Sequence, residues 1–210
     1  TRWDLTAEKR FTLSASTKKL LHDLKGTVQI NVYLSGKLPA GFKHLEQSTR
    51  ELLDEFREYG GSHLQFTFID PSAAGSDTDK AKLYDTLVAK GIRPYNLQVQ
   101  LDASEGYSEK LIFPGALLRY NGKERAVDLL QSKADENPLG TLNNADALLE
   151  YKLADAIYHL QLKQPPLIGY MLGNGEPLGP EINDALQTLS KNSILDTIDL
   201  AVNSYIPREF

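Results

Sequence analysis

Between Val28 and Phe68 the spacing of apolar residues changes period twice, and that change restricts what the chain can fold into. Val28, Ile30, Val32 and Leu34 alternate with Gln29, Asn31 and Tyr33, the period-two pattern of a strand with one face on a core. Phe42, Leu45, Leu52, Leu53 and Phe56 then recur at helical spacing, with Lys43, Glu46, Arg50, Glu51, Asp54 and Arg57 between them, as far as Gly60-Gly61. Leu64, Phe66 and Phe68 restore the alternation and Asp70-Pro71 closes it. Strand, long amphipathic helix and strand, in that order, make a βαβ unit.

Around that unit the signals are shorter. A polar lead-in over residues 1–13 precedes a helix capped by Ser14, with Leu20, Leu21 and Leu24 on one face and Gly26 as its stop. After Pro71 a Gly/Ser/Asp loop opens a helix whose expected face is Leu83, Leu87 and Val88, before Gly91. A strand is expected near 97–101. Residues 111–120 and 123–129 flank Asn121-Gly122, the dipeptide suited to a type I′ turn, and so predict an antiparallel hairpin. A βαβ unit followed by a hairpin is the element order of a thioredoxin-like mixed α/β sheet, which we expect over 1–140.

Residues 131–143 are expected to be a polar connector. Leu148, Leu149, Leu153, Ala156, Ile157 and Leu160 mark a helix to about Leu162, the connecting helix of a stretch 141–165 that Pro165-Pro166 ends. The apolar run 167–172 suits a buried strand, Gly173-Asn174-Gly175 turns the chain, and Pro180 suits the first position of a helix with Ile182, Leu186 and Leu189 on its face. Residues 195–202 are a further strand candidate. So short a βαβ unit cannot cover both faces of a parallel sheet, so 166–210 either packs on the first domain or opens a larger second domain cut off here. The second is our expectation.

Composition removes several chemistries. The chain of 210 residues has 23 basic and 28 acidic side chains scattered without a basic run, which makes nucleic acid an unexpected partner. No stretch approaches the roughly 20 apolar residues that span a bilayer. There is no cysteine, hence no disulfide, thiolate metal site or thiol nucleophile.

The best candidate ligand site is the loop Gly173-Asn174-Gly175-Glu176, beyond the carboxyl end of a strand and near a helix start, with Tyr95 and Tyr170 as candidate aromatic partners. It lacks the third glycine of a dinucleotide fingerprint and the Gly-Lys-Ser/Thr of a P-loop, and turn glycines have an ordinary structural explanation. His22, His44, His63 and His159 lie in separate elements without metal-ligand spacing, and no metal is expected. Asp54, Glu55 and Glu58 share a helix with Arg50 and Arg57, the pattern of a solvated, salt-bridged face. Neither Gly75-Ser76-Asp77 nor Leu34-Ser35-Gly36 has the glycines of a nucleophile elbow. At the first strand-to-helix junction, where a thioredoxin-like enzyme carries two cysteines, the chain has Ser35 to Phe42. No catalytic residue and no cofactor is expected.

Several segments resemble one family in collinear order: Trp3-Asp4-Leu5-Thr6, Lys9-Arg10-Phe11-Thr12-Leu13-Ser14, Tyr33-Leu34-Ser35-Gly36, Leu38-Pro39-Ala40-Gly41-Phe42, Glu51-Leu52-Leu53-Asp54-Glu55-Phe56, Gly91-Ile92-Arg93-Pro94 and Phe113-Pro114-Gly115-Ala116. They look like the gliding-associated ABC transporter auxiliary proteins of the GldG type, known from gliding Bacteroidetes and from bacteria that do not glide. The resemblance implies a non-catalytic, substrate-binding-like or scaffold component at the periplasmic face of the inner membrane. It implies anchors outside these residues, an ABC permease and an ATPase as partners, and a second, Rossmann-like domain similar to glutamine amidotransferases. Where relatives suggest a Gly-His-Gly-Glu turn, this chain has Gly173-Asn174-Gly175-Glu176. The alternative expectation is a free-standing periplasmic domain that binds a small ligand or saccharide.

Overall fold

A computed structural model describes residues 12–100, 107–130, 138–203 and 205–206. Its contacts divide the chain into two compact units, Thr1–Leu160 and Gln161–Phe210.

In the first unit, helix α1 (Ala15–His22) starts where the Ser14 hydroxyl accepts the Thr17 amide at 3.2 Å. Strand β1 (Val28–Val32), helix α2 (Ala40–Gly60) and strand β2 (Leu64–Phe68) form the crossover. The two strands pair in parallel from Val28↔Leu64 to Val32↔Phe68. Gly61, at φ 55°, ends α2 in the left-handed conformation that a Cβ would strain. Helix α3 (Asp77–Ala89) opens on a reciprocal cap: Ser76 Oγ accepts the Asp79 amide, and the Asp79 carboxylate accepts the Ser76 amide at 3.1 Å. Strands β3 (Tyr95–Gln100) and β4 (Tyr107–Ile112) form a separate antiparallel pair.

Strands β5 (Gly115–Tyr120) and β6 (Lys123–Asp128) are the hairpin. Asn121 at φ 47° and Gly122 at φ 79° give both central residues the left-handed backbone of a type I′ turn. Strand β5 also pairs antiparallel with β1, so the sheet has the order β2-β1-β5-β6 and is mixed. Helix α4 (Pro138–Gln161) follows. The first unit is therefore a mixed α/β fold.

Alternation along β5 sorts the core into two faces. Ala116, Leu118 and Tyr120 join Val28, Ile30 and Val32 of β1 under α1, α2 and α4, with Phe42 and Phe56 of α2 fully buried. The Val, Leu, Ile and Phe side chains among them each contribute roughly 1.5–3 kcal/mol by leaving water. Leu117 faces the other way, into a smaller cluster with Tyr33, Leu87, Ile92 and Phe113, partly covered by Leu83 and Tyr84.

Several boundaries differ from the sequence expectation. Helix α1 stops at His22 instead of running to Gly26, because the Leu24 amide bonds back to Leu21 and tightens the turn. Val88 is 52% exposed, since it lies one position round the helix from Leu87, and Tyr84 fills its place against Phe113 with ring centroids 4.9 Å apart. The stretch 111–120 is not one strand. Pro114 has no amide for a ladder, and the Gly115 amide turns back onto the Phe113 carbonyl, so β4 ends at Ile112 and pairs with β3. The expected 97–101 strand starts earlier, at Tyr95, and Leu101 lies outside the described residues, as does the lead-in 1–11. Helix α4 begins at Pro138, inside the expected connector, of which 131–137 is outside the described residues. That helix is more than a link: Leu142, Ala145, Leu149, Leu153, Ala156, Ile157 and Leu160 belong to the core of the first unit.

In the second unit β7 (Leu167–Leu172) and β8 (Ile194–Asp199) pair in parallel around helix α5 (Pro180–Ser190). Pro180 takes the first helical position, as its fixed φ suits. The expected buried strand 167–172 is only half-buried along most of its length, and Met171 is 39% exposed, because one strand and one helix are the cover it has among the described residues of this unit. Strand β8 ends at Asp199, short of the expected Val202, which is exposed.

Candidate functional site

The loop singled out in the sequence follows β7 directly. Gly173 has φ 120°, and a Cβ there would sit 2.9 Å from the Ala201 nitrogen and 3.2 Å from Asp199 Oδ1, so both backbone and space demand glycine. The strand ends are fixed by the Leu200 amide on the Leu172 carbonyl and the Ala201 amide on Asp199 Oδ1, each at 2.8 Å. The Asn174 amide donates to Glu176 Oε2 at 2.7 Å. That bond, together with the amides of Glu176 itself and of Gly173, holds the Glu176 carboxyl below the usual glutamate range.

This geometry changes the chemistry of the loop. Amides near a helix start would attract an anion, but here the chain's own carboxylate takes that place. An anionic ligand has to displace Glu176 first. Gly173, Asn174 and Gly175 are exposed and Glu176 is half-buried. Tyr170 is part of the same construction, its hydroxyl donating to the Pro177 carbonyl at 2.7 Å. Tyr95 belongs to β3 of the first unit, where burial first and the Asp128 carboxylate second raise its phenol above the usual range.

The first unit has a denser polar cluster that sequence reasoning passed over. It lies at the carboxyl ends of β1 and β2, the edge at which open α/β sheets bind ligands. Glu46, 4% exposed on α2, accepts the Lys43 ammonium at 2.6 Å, the Arg50 guanidinium at 3.3 Å and the Ser35 hydroxyl at 3.4 Å. Arg50 also stacks on Phe68, 3.8 Å from the ring centroid. A side chain at Gly36, φ 100°, would run into the Asp70 carboxylate, which instead caps the turn Pro71–Ala73 through the Ser72 amide at 2.9 Å. The signal available in the sequence was the i−3, i+4 placement of Lys43 and Arg50 about Glu46, which reads as a solvated face until the loop of Ser35 closes over it.

Further along the same edge, Tyr33 donates its amide to the Gly115 carbonyl at 2.9 Å, and a Cβ on Gly115 would lie 2.6 Å from Ile92 Cγ2. Lys152 of α4 donates to the Leu129 carbonyl at 3.2 Å, and burial holds its ammonium below the usual lysine range. The histidines stay apart: His44 pairs with Asp146 at 2.8 Å, His159 with Asp155 at 3.2 Å, His22 lies beside Asp23 at 3.4 Å, and His63 is exposed. Among the described residues no three metal-binding side chains converge. Arg57 and Asp54 form an exposed pair at 2.5 Å.

Residues 7–119 match the family model described as a domain of unknown function, DUF7088. The chain belongs to this family. The DUF7088 segment takes in the βαβ crossover, the β3–β4 pair and β5 as far as Arg119, and so contains the Glu46 cluster and the contact of Ile92 with Gly115. Strand β6 and helix α4, which complete the same sheet and core, follow it. No curated protein and no solved structure matches the chain.

Proposed function

We propose that the chain is a non-catalytic, extracytoplasmic scaffold or substrate-binding-like component of an ABC transport system, of the gliding-associated GldG type. An ABC permease and an ATPase are its partners, and anchors outside these residues hold it at the periplasmic face of the inner membrane. No helix among the described residues is long and apolar enough to cross a membrane.

One observation carries this reading. The segments bearing the resemblance are far apart in the chain, yet Tyr33 bonds to Gly115, Ile92 packs on Gly115, and Tyr33, Ile92 and Phe113 share one buried cluster. That three of these segments meet in one packed cluster supports reading them as parts of a single pattern. Four acidic groups at or beside the strand ends, Glu46, Asp70, Glu176 and Asp199, hold fixed partners instead of standing ready as bases. The thioredoxin-like description of the first unit belongs to the same proposal, and the order β2-β1-β5-β6 with its parallel crossover and antiparallel hairpin supports it.

A pull-down from membranes with the anchored protein as bait tests the reading. Co-purification of an ABC permease and ATPase is the expected result. Their clean absence with the bait intact, or turnover of a substrate by the purified chain, overturns it.

A further inference from the structure

One face of the four-stranded sheet is only partly covered. Helix α3 packs over Leu117, but Gln65, Gln29, Arg119 and Glu124, which stand opposite one another in the register, form an exposed polar row across all four strands. Beside this row, at the β5–β6 turn, lies a groove of about 350 Å3 lined by Thr27, Gln29, Arg119, Asn121 and Lys123 among others. Ligand pockets begin at about 300 Å3.

The guanidinium of Arg119 is held in place without being used up. Its Nε donates to Glu124 Oε1 at 2.6 Å, while the other oxygen of Glu124 takes the Lys90 ammonium. The two terminal nitrogens of Arg119, the Gln29 amide and the Thr27 hydroxyl have no hydrogen-bond partner among the described residues. Lys90 and Arg119 set two positive charges against the one of Glu124, on a chain whose net charge is -5. A fixed arginine fork fits a carboxylate through two parallel bonds. The Gln29 amide stands one strand across from Arg119, roughly 4.8 Å away, and Thr27 is two residues before Gln29 along the same chain segment, so the two suit hydroxyls flanking that carboxylate.

We propose that this groove is a binding site for a saccharide bearing a carboxylate, of the uronate class. The carboxylate lies on the Arg119 fork and the ring hydroxyls on Gln29, Thr27 and Asn121. The site is built from residues of the first unit alone, and stands whether or not the chain serves a transporter.

Nitrogen-15 NMR of the intact chain, titrated separately with D-glucuronate, D-glucose and acetate, tests it. D-glucuronate should shift the amides of 27–29 and 119–124 saturably, and bind roughly tenfold or more tighter than either of the other two, the equivalent of one charge-assisted hydrogen bond. Arg119→Gln should remove the preference for glucuronate over glucose, and Gln29→Ala should weaken both sugars. Both positions are exposed, so the dispersion of the remaining spectrum reports folding directly. Acetate binding as well as glucuronate, saturable shifts elsewhere, or no saturable shift would each overturn the proposal.

Discussion

Gly115→Ala is the sharpest test of the packing at the strand ends. The new Cβ would lie 2.6 Å from Ile92 Cγ2 and 3.2 Å from the Val127 carbonyl oxygen, where carbon atoms prefer about 3.5–4.0 Å. Ile92 is 2% exposed and has no solvent to swing into, and Val127 is held in the β5–β6 ladder. Overpacking of this kind costs about 1–3 kcal/mol. Replacing glycine also stiffens the unfolded chain, which returns about 0.4–1 kcal/mol, so a net loss of about 1–2 kcal/mol is expected. Ile92→Ala alone should cost about 2–5 kcal/mol by leaving a cavity. The double variant should lose less than the sum by about 1 kcal/mol or more, because the methyl that clashes is the one removed. Hydrogen exchange of the β5 amides is the appropriate measurement, since it reads the first unit separately from the second, which a bulk melting curve would mix. A Gly115→Ala change within about 0.5 kcal/mol of the parent, additive with Ile92→Ala, would refute the reasoning.

Gly173→Ala meets both a left-handed backbone and the Ala201 nitrogen, so the β8 amides should lose protection by about 2 kcal/mol or more; unchanged exchange there would count against the close approach. The Glu176 carboxyl lies below its unfolded value, so its contribution is complete above the ordinary glutamate range near about pH 4.3 and is lost as pH falls through the lowered folded value. The Asn174 amide should therefore titrate with a midpoint under that range and lose the transition in Glu176→Gln; a midpoint at or above it refutes the assignment. Glu46→Ala strips the acceptor from Lys43, Arg50 and Ser35 but leaves cations that can reach water, so a loss of about 2 kcal/mol is expected in urea unfolding, with Glu46→Gln milder. If both variants are silent, the cluster does not hold the Ser35 loop.

The crossover was legible because its two periods are long and clean: α2 runs from Ala40 to Gly60 with Phe42, Leu45, Leu53 and Phe56 all buried, and the strands on either side begin at the predicted Val28 and Leu64. The hairpin was legible because Asn-Gly is one of the few dipeptides that place two left-handed residues in succession at little cost. Strand β4 was not. Its sequence, Tyr-Ser-Glu-Lys-Leu-Ile, has charges at its centre and no alternation, and it becomes a strand through its partner β3. Charge pattern misled in the same way at Glu46, since a residue flanked by Lys43 and Arg50 looks solvated until tertiary closure buries it. For the Gly173 loop, the turn could be read from its glycines. Its occupation by Glu176 could not, because which acceptor reaches the free amides depends on side-chain placement and not on spacing.

The family boundary and the core do not coincide, and the mismatch bears on how the fold works. The matched segment ends at Arg119, inside β5, one residue before the hairpin turn begins to close. Strand β6 then covers the far side of β5, with Val127 opposite Ala116, and α4 lays Leu149, Leu153, Ala156 and Ile157 over the same apolar face that α2 covers. Without them, β5 would become an uncovered edge carrying Ala116 and Leu118, the kind of apolar edge that pairs with other chains. The charges on β6 are the remedy. Glu124 holds Lys90 and Arg119, and Arg125 reaches Asp155 of α4 at 3.7 Å, so the outermost strand is both charged and tied to a helix. The segment that defines the family thus holds the crossover and its polar cluster, while the residues after it guard the sheet and build one wall of the proposed groove.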